Sequence, residues 1–136
     1  MRESRPALRV GLAGLGAVGK QLAAVLDRGD IPGMRLAAIA VRDEAKARAS
    51  VSLTGSPVFT DVDQLAAHCD VVVECAPAVL LPRIAAPALR EGKTVLVLSA
   101  AALLSHMDLV ELAREHGGQI IVPTGALLAL DAVSAA

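Results

Sequence analysis

Short apolar runs alternate along the chain with stretches whose apolar residues recur every third or fourth position. Residues 8–13 (LRVGLA) read as a first strand, bounded by Pro6 and Gly14. Val18, Leu22, Val25 and Leu26 then form one apolar stripe at i, i+4, i+7 and i+8, predicting an amphipathic helix. Asp30-Ile31-Pro32-Gly33 predicts a turn, residues 34–41 a second strand, and residues 43–50 a short charged helix. Residues 57–60 suffice only for a brief third strand. Thr60 and Asp63 have the spacing of a helix start that continues through residues 65–68.

Residues 70–76 (DVVVECA) are nearly all apolar until Glu74, as suits a strand covered on both faces. The helix that follows contains Pro82 and Pro87 and stops at Gly92, so a kink or a late start is expected. Residues 94–99 (TVLVLS) predict a fifth strand. Ser105 and Asp108 then cap a helix ending at His116-Gly117-Gly118, residues 119–122 make a sixth strand, and residues 126–136 read as helical.

Strands alternating with helices of about ten residues imply βαβ crossovers and a parallel sheet. Six strands match an α/β, Rossmann-type doubly wound parallel sheet of order 3-2-1-4-5-6. Residues 1–125 are expected to form this domain. The segment 126–136, with Leu127, Leu128, Leu130 and Val133, is apolar around much of its circumference and reads as a helix packing between domains or subunits.

Composition narrows the function. With 54% hydrophobic and 20% charged residues the chain should fold. One Phe, no Trp and no Tyr argue against a base-stacking single-strand binder, and a net charge of −1 gives no nucleic-acid footprint. A small-molecule protein is expected, with no nucleic-acid partner. Cys69 and Cys75 match no metal or redox spacing and read as small buried hydrophobes. Neither a secretory leader nor a run of roughly 18 apolar residues is present, so a cytoplasmic protein without a membrane partner is expected.

The candidate chemistry begins at VGLAGLGAVGK, where Gly14, Gly16 and Gly19 spell G-x-G-x-x-G between a strand and a helix. Gly14 would allow the tight turn, Gly16 the approach of a pyrophosphate, and Gly19 close helix–strand packing. Leu15, Ala17 and Val18 complete a loop that sets the pyrophosphate on the helix N-terminus. The second strand ends at Arg42-Asp43. An acidic residue here meets the ribose of NAD and an arginine tolerates the 2′-phosphate of NADP, so NAD or NADP is expected. Asp43 could instead be only a helix cap. At other strand ends, Ala76, Pro77, Ser99 and the Thr124-Gly125-Ala126 stretch fall near the expected nicotinamide. Glu74 is either a cleft acid or a cap for a neighbouring helix. His68, His106 and His116 sit near helix ends and supply no convincing base, so no catalytic residue is assigned.

These residues resemble the L-aspartate dehydrogenases: LAGLGAVG at residues 12–19, Val72-Glu74-Cys75-Ala76, Gly92-Lys93 before VLVLS at 95–99, and above all IVPTGALLALDAVSAA at 121–136. The resemblance covers essentially the whole chain. It implies oxidation of L-aspartate to iminoaspartate with NAD or NADP, in some members feeding NAD biosynthesis. It places Gly14, Gly16 and Gly19 at the pyrophosphate, Ala126 near the nicotinamide, and the protein in a homodimer or larger homo-oligomer. The family's catalytic histidine and most substrate contacts lie in a second domain, so the chain is expected to be an amino-terminal half, inactive alone, with residues 126–136 starting the linker. Ala101 and Leu128-Ala129 depart from glycines usual in the family, which bears on the substrate side. The cofactor domain of a homoserine dehydrogenase or other amino-acid or imine reductase is the enzymatic alternative. A non-catalytic NAD(P)-binding module is the other.

Overall fold

The computed structural model describes residues 5–123. Six strands are joined through helical crossovers: β1 (Leu8–Ala13), α1 (Ala17–Asp27), β2 (Met34–Ala40), α2 (Glu44–Ser50), β3 (Val58–Thr60), β4 (Val71–Glu74), α3 (Leu81–Arg90), β5 (Thr94–Val97), α4 (Ala100–Leu104), α5 (Asp108–His116) and β6 (Gln119–Ile121). A single 3-10 turn, Leu65–His68, links β3 to β4, and another, Ala78–Leu80, leads into α3. The strands are all parallel in the order β3-β2-β1-β4-β5-β6. This is the expected doubly wound sheet, whose order reverses beside β1.

The sheet is covered on both faces, which explains its continuous apolar strands. On one face Val72, Val95 and Val97 meet Leu81, Ile84 and Leu89 of α3 and Leu109 of α5. On the other, Val10, Leu12 and Val73 meet Ala23 and Leu26 of α1. Each buried Leu, Ile or Val contributes about 1.5–3 kcal/mol of transfer free energy. β1 and β2 shift register between Val10 and Gly11. A Cβ on Gly11 would lie 2.7 Å from Cys69 Sγ and 2.9 Å from Leu65 Cδ1, so the bare backbone there lets the 65–68 turn press onto the sheet.

The structure corrects several local expectations. Of the expected α1 stripe Leu26 is buried and Leu22 packs against the core, but Gly19 and Ala23 complete the buried face and Val18 is half exposed. Gly19 belongs to this face because a Cβ there would collide with the Gly14 carbonyl oxygen. Thr60 ends β3 and caps nothing; Asp61 Oδ1 accepts from the Gln64 N–H at 3.0 Å instead. Ser105 is the C-cap of α4, so α5 starts from Met107 without a side-chain cap. Helix α4 itself was not expected. The late start expected at Pro87 does not occur: α3 begins at Leu81, with Pro82 in its first turn and Pro87 inside it. Thr124, Gly125, Ala126 and the expected helix 126–136 lie outside the described residues.

Candidate functional site

The loop between β1 and α1 lies where the carboxyl ends of β1, β2 and β4 converge. Gly14 has φ +103°, a left-handed conformation that favours glycine. A Cβ there would also lie 2.9 Å from the Cys75 carbonyl oxygen, so the turn depends on glycine twice over. A Cβ on Gly19 would collide with the Gly14 carbonyl oxygen. Gly16 is the opposite case. It is the extended N-cap of α1, and a Cβ on it would meet nothing within 4 Å. No side chain caps α1 and its first turn carries no acidic residue. Its leading N–H groups and the positive end of its dipole are therefore left for an anion.

A cleft of about 680 Å³ opens beside this loop, lined among others by Gly14, Leu15, Gly16, Arg42, Ala76 and Pro77. Behind the loop a smaller pocket of about 250 Å³ is lined by Gly16, Ala17, Val18, Glu74, Cys75 and Ser99, with Ala76 and Leu98. The fold thus gathers Gly14 to Val18, Arg42, Ala76, Pro77 and Ser99 around one loop, with Gly19 packed beneath it. Asp43 does not line the larger cleft. Its Oδ1 accepts from the Lys46 N–H at 3.0 Å, capping α2. Ala126 lies outside the described residues.

Two residues near the site were not singled out from the sequence. Lys20 and Lys46 line a groove of about 600 Å³ together with Leu15, Arg42 and Asp43. Among the described residues, no ion pair engages Lys20, Arg42 or Lys46. The groove is therefore cationic, its one carboxylate engaged in capping. The signal was present: Lys20 directly follows the third glycine, and Lys46 lies one helical turn after Asp43.

Glu74 is fully buried. Its Oε1 accepts from the Leu98 and Ser99 N–H groups, both at 2.9 Å, and its Oε2 accepts from the Ser99 hydroxyl. Of the two readings made for it, this comes nearer to a cap, since Ser99 is the N-cap of α4. Burial, with a smaller contribution from Glu74, pushes the Cys75 thiol up to about 11, so it is no nucleophile at neutral pH. His68, His106 and His116 line neither pocket. Another groove, of about 660 Å³ between α3 and α5, lies away from this loop. Among the described residues no helix is long and apolar enough to cross a membrane.

A glycine turn on the first strand, an acid-free helix start and a cleft where the sheet order reverses define the nucleotide-binding domain of a dehydrogenase. The chain belongs to the family described as homoserine dehydrogenase, NAD binding domain, whose model matches residues 14–123. It is 52% identical over 95% of its length to an L-aspartate dehydrogenase of Bradyrhizobium diazoefficiens, covering 46% of that protein. It is 48% identical over 98% of its length to L-aspartate dehydrogenase 3 of Bordetella bronchiseptica, covering 49% of it. The resemblance to L-aspartate dehydrogenases thus holds, and the chain spans about half the length of these curated relatives. Among solved structures, a homoserine dehydrogenase of Thiobacillus denitrificans superposes with a TM-score of 0.71 at 25% identity, over 87% of this chain and 29% of that one.

Proposed function

We propose that this chain is the cofactor-holding domain of an L-aspartate dehydrogenase-like oxidoreductase. The observation that carries the reading is the open space at Gly16 over an uncapped, acid-free start of α1. The pyrophosphate lies there, with Leu15, Ala17 and Val18 forming the rim and Gly14 and Gly19 holding the turn beneath. Ala76 and Pro77 line the cleft by shape, Ser99 stands at the nicotinamide end, and the resemblance adds Ala126. A bound nicotinamide dinucleotide would supply the hydride acceptor for the substrate Cα–H; the domain's own part is to hold and orient it. The proton-transfer group belongs, on the resemblance, to a second domain, with residues 126–136 beginning the connection to it.

NADP is the favoured form. Asp43, the carboxylate that would meet an unphosphorylated ribose, is engaged at the α2 start, whereas Arg42, Lys20 and Lys46 line one groove. Three cations there match the 2′-phosphate. L-aspartate as the substrate is supported by the 52% and 48% identities. The family description and the homoserine dehydrogenase likeness favour a homoserine-type substrate second. The resemblance also carries the proposal of a homodimer or larger homo-oligomer. Two free cysteines accord with a reducing, cytoplasmic setting. Calorimetry with NADP and NAD tests the reading: binding of either supports it, and none at millimolar concentration of both refutes it.

A further inference from the structure

The buried carboxylate of Glu74 and the hydroxyl of Ser99 form a unit to which the cofactor reading gives no chemistry. Glu74 closes β4 and Ser99 opens α4, 25 residues later in the chain. Both line the pocket beside the start of α1. Burying a carboxylate is costly unless its oxygens are hydrogen-bonded, and here three donors meet them. Two are backbone N–H groups, which have no alternative role. The third is the one proton of Ser99. A carboxylate has no proton to return, so that hydroxyl must donate, and its remaining lone pairs can only accept.

We propose that Glu74 is a positioning residue that locks Ser99 as a hydrogen-bond acceptor toward the small pocket, selecting a ligand group with N–H to give. On the cofactor reading, on which this rests, that group is the nicotinamide carboxamide. It stands on the β4–β5 side of the loop, opposite the Arg42 side where the adenosine end lies. The selectivity is chemical: a carboxylate in place of the carboxamide would bring lone pairs against lone pairs and a second negative charge beside Glu74.

The test compares three ligands by calorimetry: NADP, its nicotinic acid counterpart, and 2′-phospho-ADP-ribose, which lacks the ring. The wild-type chain is expected to bind NADP about 10-fold more tightly than the acid form, the scale of one unmatched polar contact. In Glu74→Gln the amide oxygen still accepts from the two backbone N–H groups, while its NH2 donates to Ser99 Oγ and turns the hydroxyl proton outward. The preference should fall to parity or reverse, with affinity for the ring-less fragment unchanged. Ser99→Ala keeps the carboxylate charge and isolates the hydroxyl; it too should lower the preference and spare the fragment. An unchanged preference in either variant overturns the proposal, as does a loss of fragment affinity in step with NADP. A wild-type chain that binds the fragment without discriminating the two dinucleotides overturns this inference alone. A chain that binds none of the three overturns the cofactor reading as well.

Discussion

The carbonyl oxygen of Gly14 occupies the space in which a side chain on Gly19 would begin. Gly16, between them, faces open space, so three glycines of one motif do different work. Gly19→Ala forces a side-chain carbon against the Gly14 backbone carbonyl and should cost about 1–3 kcal/mol of stability, read from urea denaturation. Gly16→Val has room and an extended backbone. It should change stability by about 1 kcal/mol or less while abolishing detectable dinucleotide binding. Unchanged affinity in Gly16→Val would remove the ligand role of the loop.

The cationic groove predicts cofactor choice. Arg42→Asp should shift the NADP-to-NAD affinity ratio toward NAD by about 10-fold or more, and Lys46→Ala by less, in parallel titrations with both dinucleotides. A ratio unmoved by Arg42→Asp would assign that arginine to solvent.

The far end of α1 predicts a response to acid. Asp27 accepts from the Thr54 N–H at 2.7 Å and the Gly55 N–H at 2.8 Å, clamping the loop between α2 and β3. The backbone bond from Thr54, then that from Gly55, holds the Asp27 carboxyl below its ordinary range. A lowered pKa means that this clamp contributes fully above about pH 4 and is lost as the pH falls through the lowered value. The Thr54 and Gly55 amide resonances should titrate together with a midpoint below the ordinary aspartate range, and Asp27→Asn should abolish the titration.

Thiol chemistry gives a further check. Burial pushes both Cys69 and Cys75 up to about 11. At pH 8 about one thiol in a thousand is ionised, so alkylation of the folded chain should be slow and should accelerate tenfold per pH unit up to about 10. Rapid labelling of Cys75 at pH 8 would contradict its environment.

Most of the architecture was legible because strands covered on both faces are predominantly apolar, with charged residues such as Arg9 and Arg35 near their starts. β1 was readable to the residue, and the other strands were overestimated by only one to three residues. Side-chain size blurred the rest. In α1 the large residues gave Leu22 and Leu26 correctly but missed Gly19 and Ala23, whose small size carries no hydrophobic signal. Thr60 and Ser105 had cap-like spacing, yet spacing does not tell whether the chain has already left a strand or a helix. The glycine loop could be read because its chemistry is local. Glu74 could be read only as one of two alternatives, because its partners lie 24 and 25 residues further along the chain, at the end of the neighbouring strand β5.

Gly11 carries a consequence for interpreting variants. It lies on β1, three residues before Gly14 of the loop, packed beneath the sheet against Cys69 and Leu65 rather than beside the cleft. A substitution such as Gly11→Val would push β1 off the 65–68 turn and tilt the strand that delivers the nucleotide loop. In an assay it would score as a cofactor-binding defect, although the changed side chain never meets the cofactor. Loss of affinity alone is therefore a poor criterion for assigning a residue of this strand to the binding surface.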